Sequence, residues 1–285
     1  MSGFWTPALA QPHKEGFIAG GHFRIDLRSG LNRSWIVSIL PFVEQQALYQ
    51  QFDRNRHVAA NRSLPQAQQP ASLLCASGQA FGRMYSWRAS ASEDGVEATP
   101  FAKGNYAAFV NPFHVDDFYT PGPLPLYGQD LRQVSDGLSS TLALSEVRTR
   151  DNDLDQRGTW ALPWSGATLL SFDAHPTWYP LNSNQREKAS DDFTFSGSTL
   201  GQTQLPNGKL PDVLYDCPDL VSEQIERMPC TANTGYTSAA PRSNHIGGVN
   251  AACLDGSVHF LVDDIDEFAM AYLIGTTDGV VVDIP

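Results

Sequence analysis

Positive charge is scarce in this sequence. Nineteen Lys and Arg stand against 31 Asp and Glu, for a net charge of −12. Nucleic acid and anionic membranes both want a basic face, so neither is expected as a partner. Long hydrophobic runs are missing too. No stretch approaches the roughly 20 apolar residues of a membrane-spanning helix, and no span is expected. The opening MSGFWTPALAQPHKEG lacks a basic start followed by an apolar core, so no signal peptide is legible. On that reading the chain is either cytosolic or has had a targeting segment removed. Nucleophile elbows (GxSxG), phosphate loops, HExxH and GxGxxG are all absent, which removes many common enzyme classes. A glycosidase working through two carboxylates survives, because it leaves no local signature.

Cysteine is used sparingly, with four residues and no CxxC pair, which disfavours a zinc ribbon. Cys75 in ASLLCA and Cys253 in NAACLDG read as small buried apolar side chains. Cys217 and Cys230 sit in Pro-containing, loop-like sequence. A bridge between them would contribute roughly 3 kcal/mol by closing a short loop and would imply an oxidising compartment. As free thiols they would fix no compartment.

What is present points to many turns: 23 Gly and 19 Pro in 285 residues, which suits a loop-rich domain better than a helical bundle. Residues 1–32 show no period and read as an irregular N-terminal arm. Residues 33–285 read as one globular domain, with a long loop insertion at about 176–244. A stretch that long without pattern is functional or pinned by cross-links. Apolar residues at spacings of three and four over 35–52 predict a helix, kinked or opened at Pro41. ASLLCA, NYAAFV, STLALSEV, TWALPW, ATLLSFDA and VVVDI read as strands, and DEFAMAYLIG as a short helix. The expected class is α+β, an amphipathic helix on an antiparallel sheet with long irregular loops.

The stretch RSNHIGGVNAACLDGSVHFLVDDID carries the clearest local signal. Asp255-Gly256 between two apolar runs predicts a type I′ hairpin, with strands at 249–254 and 257–262. Antiparallel pairing then brings His245 near Val262 and Asp263, and far from Asp255. His245 is therefore expected to contact Asp263 or Asp264 and to anchor the hairpin.

Several side-chain groups could carry chemistry. Asp151, Asp153 and Asp155, followed by Gly158, alternate as oxygen ligands do in a calcium loop, or form a solvated acidic turn. Asp263 and Asp264 are a second cation candidate, unless Asp264 caps the last helix with Glu267 three residues on. His114 with Asp116 and Asp117, and Asp173 with His175, place imidazole beside carboxylate, as a metal ligand set or an oriented base requires. For a hydrolase, the candidates are Glu146, Asp173, His175 and His245. Trp160, Trp164, Trp178 and Tyr179 are either a sugar-stacking platform or core.

Several segments together resemble a known family. SNHIGGVNAACLDGSVHFL is similar to the C-terminal signature of a large planctomycete group of prepilin-like proteins: a His, nine residues, then Asp-Gly. SWIVSILPFVEQQALYQQFD, PASLLCASG with Cys75, NYAAFV, SDGLSSTLALSEVRTR with Glu146, and DQRGTWALPW follow that family's order. Ala76 stands where the family has Pro after the Cys. The resemblance covers roughly 33–285 and lacks the family's basic stub and apolar prepilin helix, as a truncated chain would. It implies an extracytoplasmic, pseudopilin-like structural head, periplasmic or at the cell surface. Its partners would be filament or type II secretion subunits, and its cofactor calcium, with no ligand set carried over. The alternatives are a secreted hydrolase of polysaccharide or ester, and a glycan- or protein-binding module.

Overall fold

The computed structural model describes residues 17–19, 22–24, 27–28, 30–88, 98–116, 122–126, 128–174, 203–218, 226–233 and 235–284. Among the described residues there are three small two-stranded pairs and one central sheet. β1 (Phe17–Ala19) pairs antiparallel with β2 (His22–Arg24), and β3 (Met84–Trp87) with β4 (Thr99–Ala102). The central strands are β5 (Tyr106–Asn111), β6 (Leu142–Glu146) and β7 (Leu169–Ser171), joined later by β10 (Gly248–Cys253) and β11 (Val258–Val262). Between them in sequence, β8 (Asp212–Leu214) and β9 (Cys230–Ala232) form a parallel pair.

The central sheet runs β11-β10-β6-β5-β7. All of its pairings are antiparallel except β5 with β7, which is parallel. Successive residues of a strand face opposite sides, and in β5 both sides are buried. Ala107 and Phe109 join the layer that holds α3 (Glu267–Ile274) through Met270, Leu273 and Ile274. Ala108 and Val110 join the opposite layer, with α1 (Trp35–Ile39), Trp160 and Trp164. Helix therefore covers each face of a mixed sheet, and the class is α+β.

Pro41 breaks the long helix expected over 35–52. α1 ends at Ile39, a 3₁₀ turn covers Leu40–Val43, Glu44 is left-handed at φ 60°, and α2 is only Gln46–Tyr49. ASLLCA forms a 3₁₀ turn at Ala71–Leu73, and neither TWALPW nor VVVDI joins a ladder. Trp160 and Trp164 are each 1% exposed. Their indole N–H groups donate to Gln68 O and to Leu27 O and Asn32 Oδ1, so these two are core and offer no face to a sugar. Trp178 and Tyr179 lie outside the described residues.

The hairpin forms, with a different turn. Only Gly256 has positive φ, at 90°, and Gly256 N donates to Cys253 O while Cys253 N donates to Ser257 O. That is a three-residue connection with glycine in the bulge position, whereas a type I′ turn needs two positive φ angles. The Asp255 carboxylate accepts from Ser257 N and Oγ, which fixes the turn from outside. The cap of α3 is Asp266, accepting from Phe268 N and Ala269 N at 3.0 Å each. Asp264 is exposed and does not cap.

Candidate metal centre

Three chain segments meet at the edge of the central sheet. Cys75 follows the 3₁₀ turn Ala71–Leu73, where its N–H donates to Asn105 Oδ1 at 3.1 Å. Glu146 ends β6. His245 precedes β10, its N–H donating to Ser243 Oγ at 3.0 Å. The Cys75 sulfur, a Glu146 oxygen and a His245 ring nitrogen lie within 4.8 Å of one another. Among the described residues, no other group of three His, Cys, Asp or Glu does so.

His245 Nε2 is 3.0 Å from Glu146 Oε1 and 3.6 Å from Cys75 Sγ. One ring nitrogen thus faces both the thiol and the carboxylate. A catalytic Cys–His–acid relay needs the thiol on one nitrogen and the acid on the other, and this arrangement does not supply it. Sulfur, oxygen and nitrogen donors gathered within 4.8 Å of one another are a set that a metal ion could take. With zinc bond lengths, the edges of a tetrahedral site come to about 3.6 Å for sulfur to nitrogen and about 3.4 Å for nitrogen to oxygen. The first is matched here at 3.6 Å, and the second, at 3.0 Å, is about 0.4 Å shorter, a hydrogen-bond length.

The surroundings hold the donors in place. Glu146 Oε2 accepts from Asn250 N at 2.7 Å and Asn250 Nδ2 at 3.3 Å, which leaves Oε1 turned toward the imidazole. Such outer partners orient metal ligands. Ser77 Oγ stands 3.1 Å from both Cys75 Sγ and His245 Nε2. Ser77 is exposed, so its hydroxyl stands on the solvent side of the three donors. A neighbouring cavity of about 10 Å³ has room for roughly one water. The phenol of Tyr106 is pushed above its usual value by burial, and then by Cys75 and Glu146 beside it.

The other predicted residues divide. His245 does not reach Asp263 or Asp264. β6 lies on the other side of β10, and the chain before β10 turns toward it, so Arg242 N donates to Glu146 O and His245 meets the Glu146 side chain. Asp263 instead accepts from Asn207 Nδ2 at 2.7 Å. Asp151 and Asp153 are exposed, whereas Asp155 is fully buried and grips Arg157 at 2.6 Å. Burial alone would raise its pKa, but Arg157 outweighs that and holds the carboxyl below its usual value. Asp155 is therefore committed to an internal ion pair and cannot complete a calcium loop with its two neighbours. Cys75 is half-buried and faces His245, so it is no core residue, while Cys253 is buried. His114 Nδ1 lies 3.3 Å from Asp173 Oδ1, joining the two His–carboxylate segments to each other. His175 and Asp117 lie outside the described residues. Cys217 and Cys230 are bonded, with an S–S distance of 2.06 Å.

The three segments that supply these donors are among those whose order along the chain resembled a family. The model of a family described as a protein of unknown function (DUF1559) matches residues 11–267. The chain belongs to that family. No curated protein and no solved structure matches it. A DUF1559 chain thus brings its Cys, its strand-end Glu and the His before its hairpin to one point. The three positions were legible one by one. Their convergence was not, because Cys75 and His245 are 170 residues apart.

Proposed function

We propose that this DUF1559 chain is an extracytoplasmic structural domain, pseudopilin-like in role, stabilised by one zinc-type ion at Cys75, Glu146 and His245. The observation that carries the reading is the single imidazole nitrogen shared between thiol and carboxylate, with Ser77 Oγ 3.1 Å from both sulfur and nitrogen. A set of sulfur, nitrogen and oxygen donors suits a borderline-soft ion that supports folding. Calcium prefers six to eight oxygens, so the cation proposed for this domain is zinc instead. The Cys217–Cys230 bridge supports an oxidising compartment. No helix among the described residues is long and apolar enough to cross a membrane. Assembly with filament or secretion subunits belongs to the same reading and follows from the family resemblance.

The test is metal analysis of the purified chain with melting curves before and after chelation. One zinc per chain is expected, and at a hundredfold excess over its dissociation constant the ion should add about 2.7 kcal/mol. Cobalt substituted for zinc should give a thiolate charge-transfer band that Cys75→Ser removes. Failure to bind zinc or cobalt, or melting indifferent to chelator, refutes the metal. Glu146→Gln should weaken zinc as Cys75→Ser does. A variant that hydrolyses ester or polysaccharide faster once Ser77→Ala removes the hydroxyl beside the donors would instead favour the hydrolase.

A further inference from the structure

A second feature lies beside the metal candidate and does not depend on it. A groove of about 1170 Å³ runs between the segment around Asn207–Pro211 and the segment around Arg227–Thr231, and His245 stands on its wall. Among the described residues, its charged lining is Arg148, Lys209, Arg227 and Arg242 against one carboxylate, Asp263, apart from His245 itself. In a chain of net charge −12 this is a concentrated reversal of sign.

The cationic groups are not equivalent. Arg242 is buried and spent inside the fold, with its guanidinium on Asp212 and on the carbonyls of Gly208 and Leu210. Arg148 is half-buried and donates to Glu226 O at 2.5 Å. Burial, and then Arg242, Arg157 and Arg83 nearby, depress its pKa against the pull of Glu226. Lys209 and Arg227 are exposed, and no hydrogen bond or ion pair among the described residues uses either head group. Asp263, the one acid among the described lining residues, is already held by Asn207. Two lining residues, Asn207 at φ 49° and Arg227 at φ 53°, adopt left-handed backbone. Such strain without glycine gathers at binding sites.

We propose that this groove binds an acidic oligosaccharide, its carboxylates or sulfates held by Arg148, Lys209 and Arg227. Guanidinium forks match planar and tetrahedral oxyanions, and the exposed Thr231 hydroxyl suits sugar hydroxyls. Among the described residues, the lining contains no aromatic side chain. A single-stranded nucleic acid would want bases stacked on aromatic rings. A protein partner would want an aromatic or aliphatic anchor pocket, and among the described residues this groove offers only Pro211, Pro229 and the bridged Cys230.

Calorimetric titration of the intact chain with oligogalacturonate, sulfated dextran oligosaccharide and neutral dextran oligosaccharide tests the assignment. One or both acidic ligands should bind and the neutral one should not. The tighter of the two identifies the oxyanion. Lys209→Glu with Arg227→Glu should weaken binding about tenfold or more. Arg62→Glu with Arg132→Glu, the same charge change at exposed sites away from the groove, should leave it within about twofold. Melting curves matched to the parent chain show that each double variant is folded. No binding of either acidic ligand overturns the proposal. So does equal weakening by the control pair, or binding of oligoglutamate as tight as that of an oligosaccharide of equal charge.

Discussion

Asp212 is the residue whose loss should hurt this fold most for its size. It is fully buried on β8. Its carboxylate accepts from Arg157 Nη1 at 2.9 Å, Arg242 Nη2 at 2.9 Å and Ala240 N at 3.1 Å. Arg157 also holds Asp155, and burial, which would lower its pKa, is outweighed by those two carboxylates, so the guanidinium stays charged. Asp212→Asn keeps the shape and removes the charge. It leaves two buried guanidinium groups with Asp155 as the remaining fully buried carboxylate. Breaking a buried pair from one side costs about 3–5 kcal/mol because the abandoned charge stays in low dielectric. The isosteric amide still accepts a hydrogen bond, so the lower end, about 3 kcal/mol, is expected. With a urea slope of roughly 2–3 kcal/mol per molar, the midpoint should fall by about 1–1.5 M. A fall below about 0.3 M at unchanged slope would show that the network is solvated or redundant, and the reasoning here would be wrong.

Two further outcomes follow from local geometry. Asp278 is pushed up to about 7, first by burial and then by Asp136, against a hydrogen bond from Val280 N. The folded state then keeps a proton that the unfolded chain releases near pH 4, so stability should fall as pH rises from there to about 7. Asp278→Asn should flatten that slope, and an identical slope in the variant would assign it to another group. The paired glycines at the start of β10, Gly247 just before it and Gly248 its first residue, should fail for different reasons. Gly247 has φ 84° and open space around it, so Gly247→Ala should cost about 1–2 kcal/mol from the backbone alone. A Cβ on Gly248 would sit 2.1 Å from Leu261 O, so Gly248→Ala should cost more and lower the melting temperature further. The reverse order would refute the assignment.

Local signals read well where one short segment decides the structure. Asp-Gly between apolar runs specifies a hairpin, and the two strands appear within a residue of where alternation puts them. Such signals fail where a tertiary partner decides. Nothing in the sequence near Asp155 says that its carboxylate turns inward to Arg157 while Asp153, two residues before, stays outside. Asp266 wins the cap from Asp264 because Ile265, between them, is buried in the α3 layer and fixes where the helix begins. The metal candidate was the least legible part. Cys75 looks apolar in ASLLCA, and only the packing of β6 against β10 brings Glu146 and His245 together. A resemblance that places a Cys, a strand-end Glu and a hairpin His in fixed order was the one available pointer.

The strand order also bears on how the chain acquires its fold. β6 sits at the middle of the sheet and bonds to β5 and β10. The contact from Ser145 Oγ to Asn250 O joins residues 105 positions apart. One long side of β6 therefore stays bare until the last segment of the chain is present. Closing a loop of that length precedes any gain from the pairing, which makes the step slow. During synthesis, β5 and β6 would present an unsatisfied edge for longer than a meander of neighbouring strands would. Refolding should accordingly be limited by docking of the C-terminal hairpin, and conditions that delay that segment should favour aggregation over the native sheet.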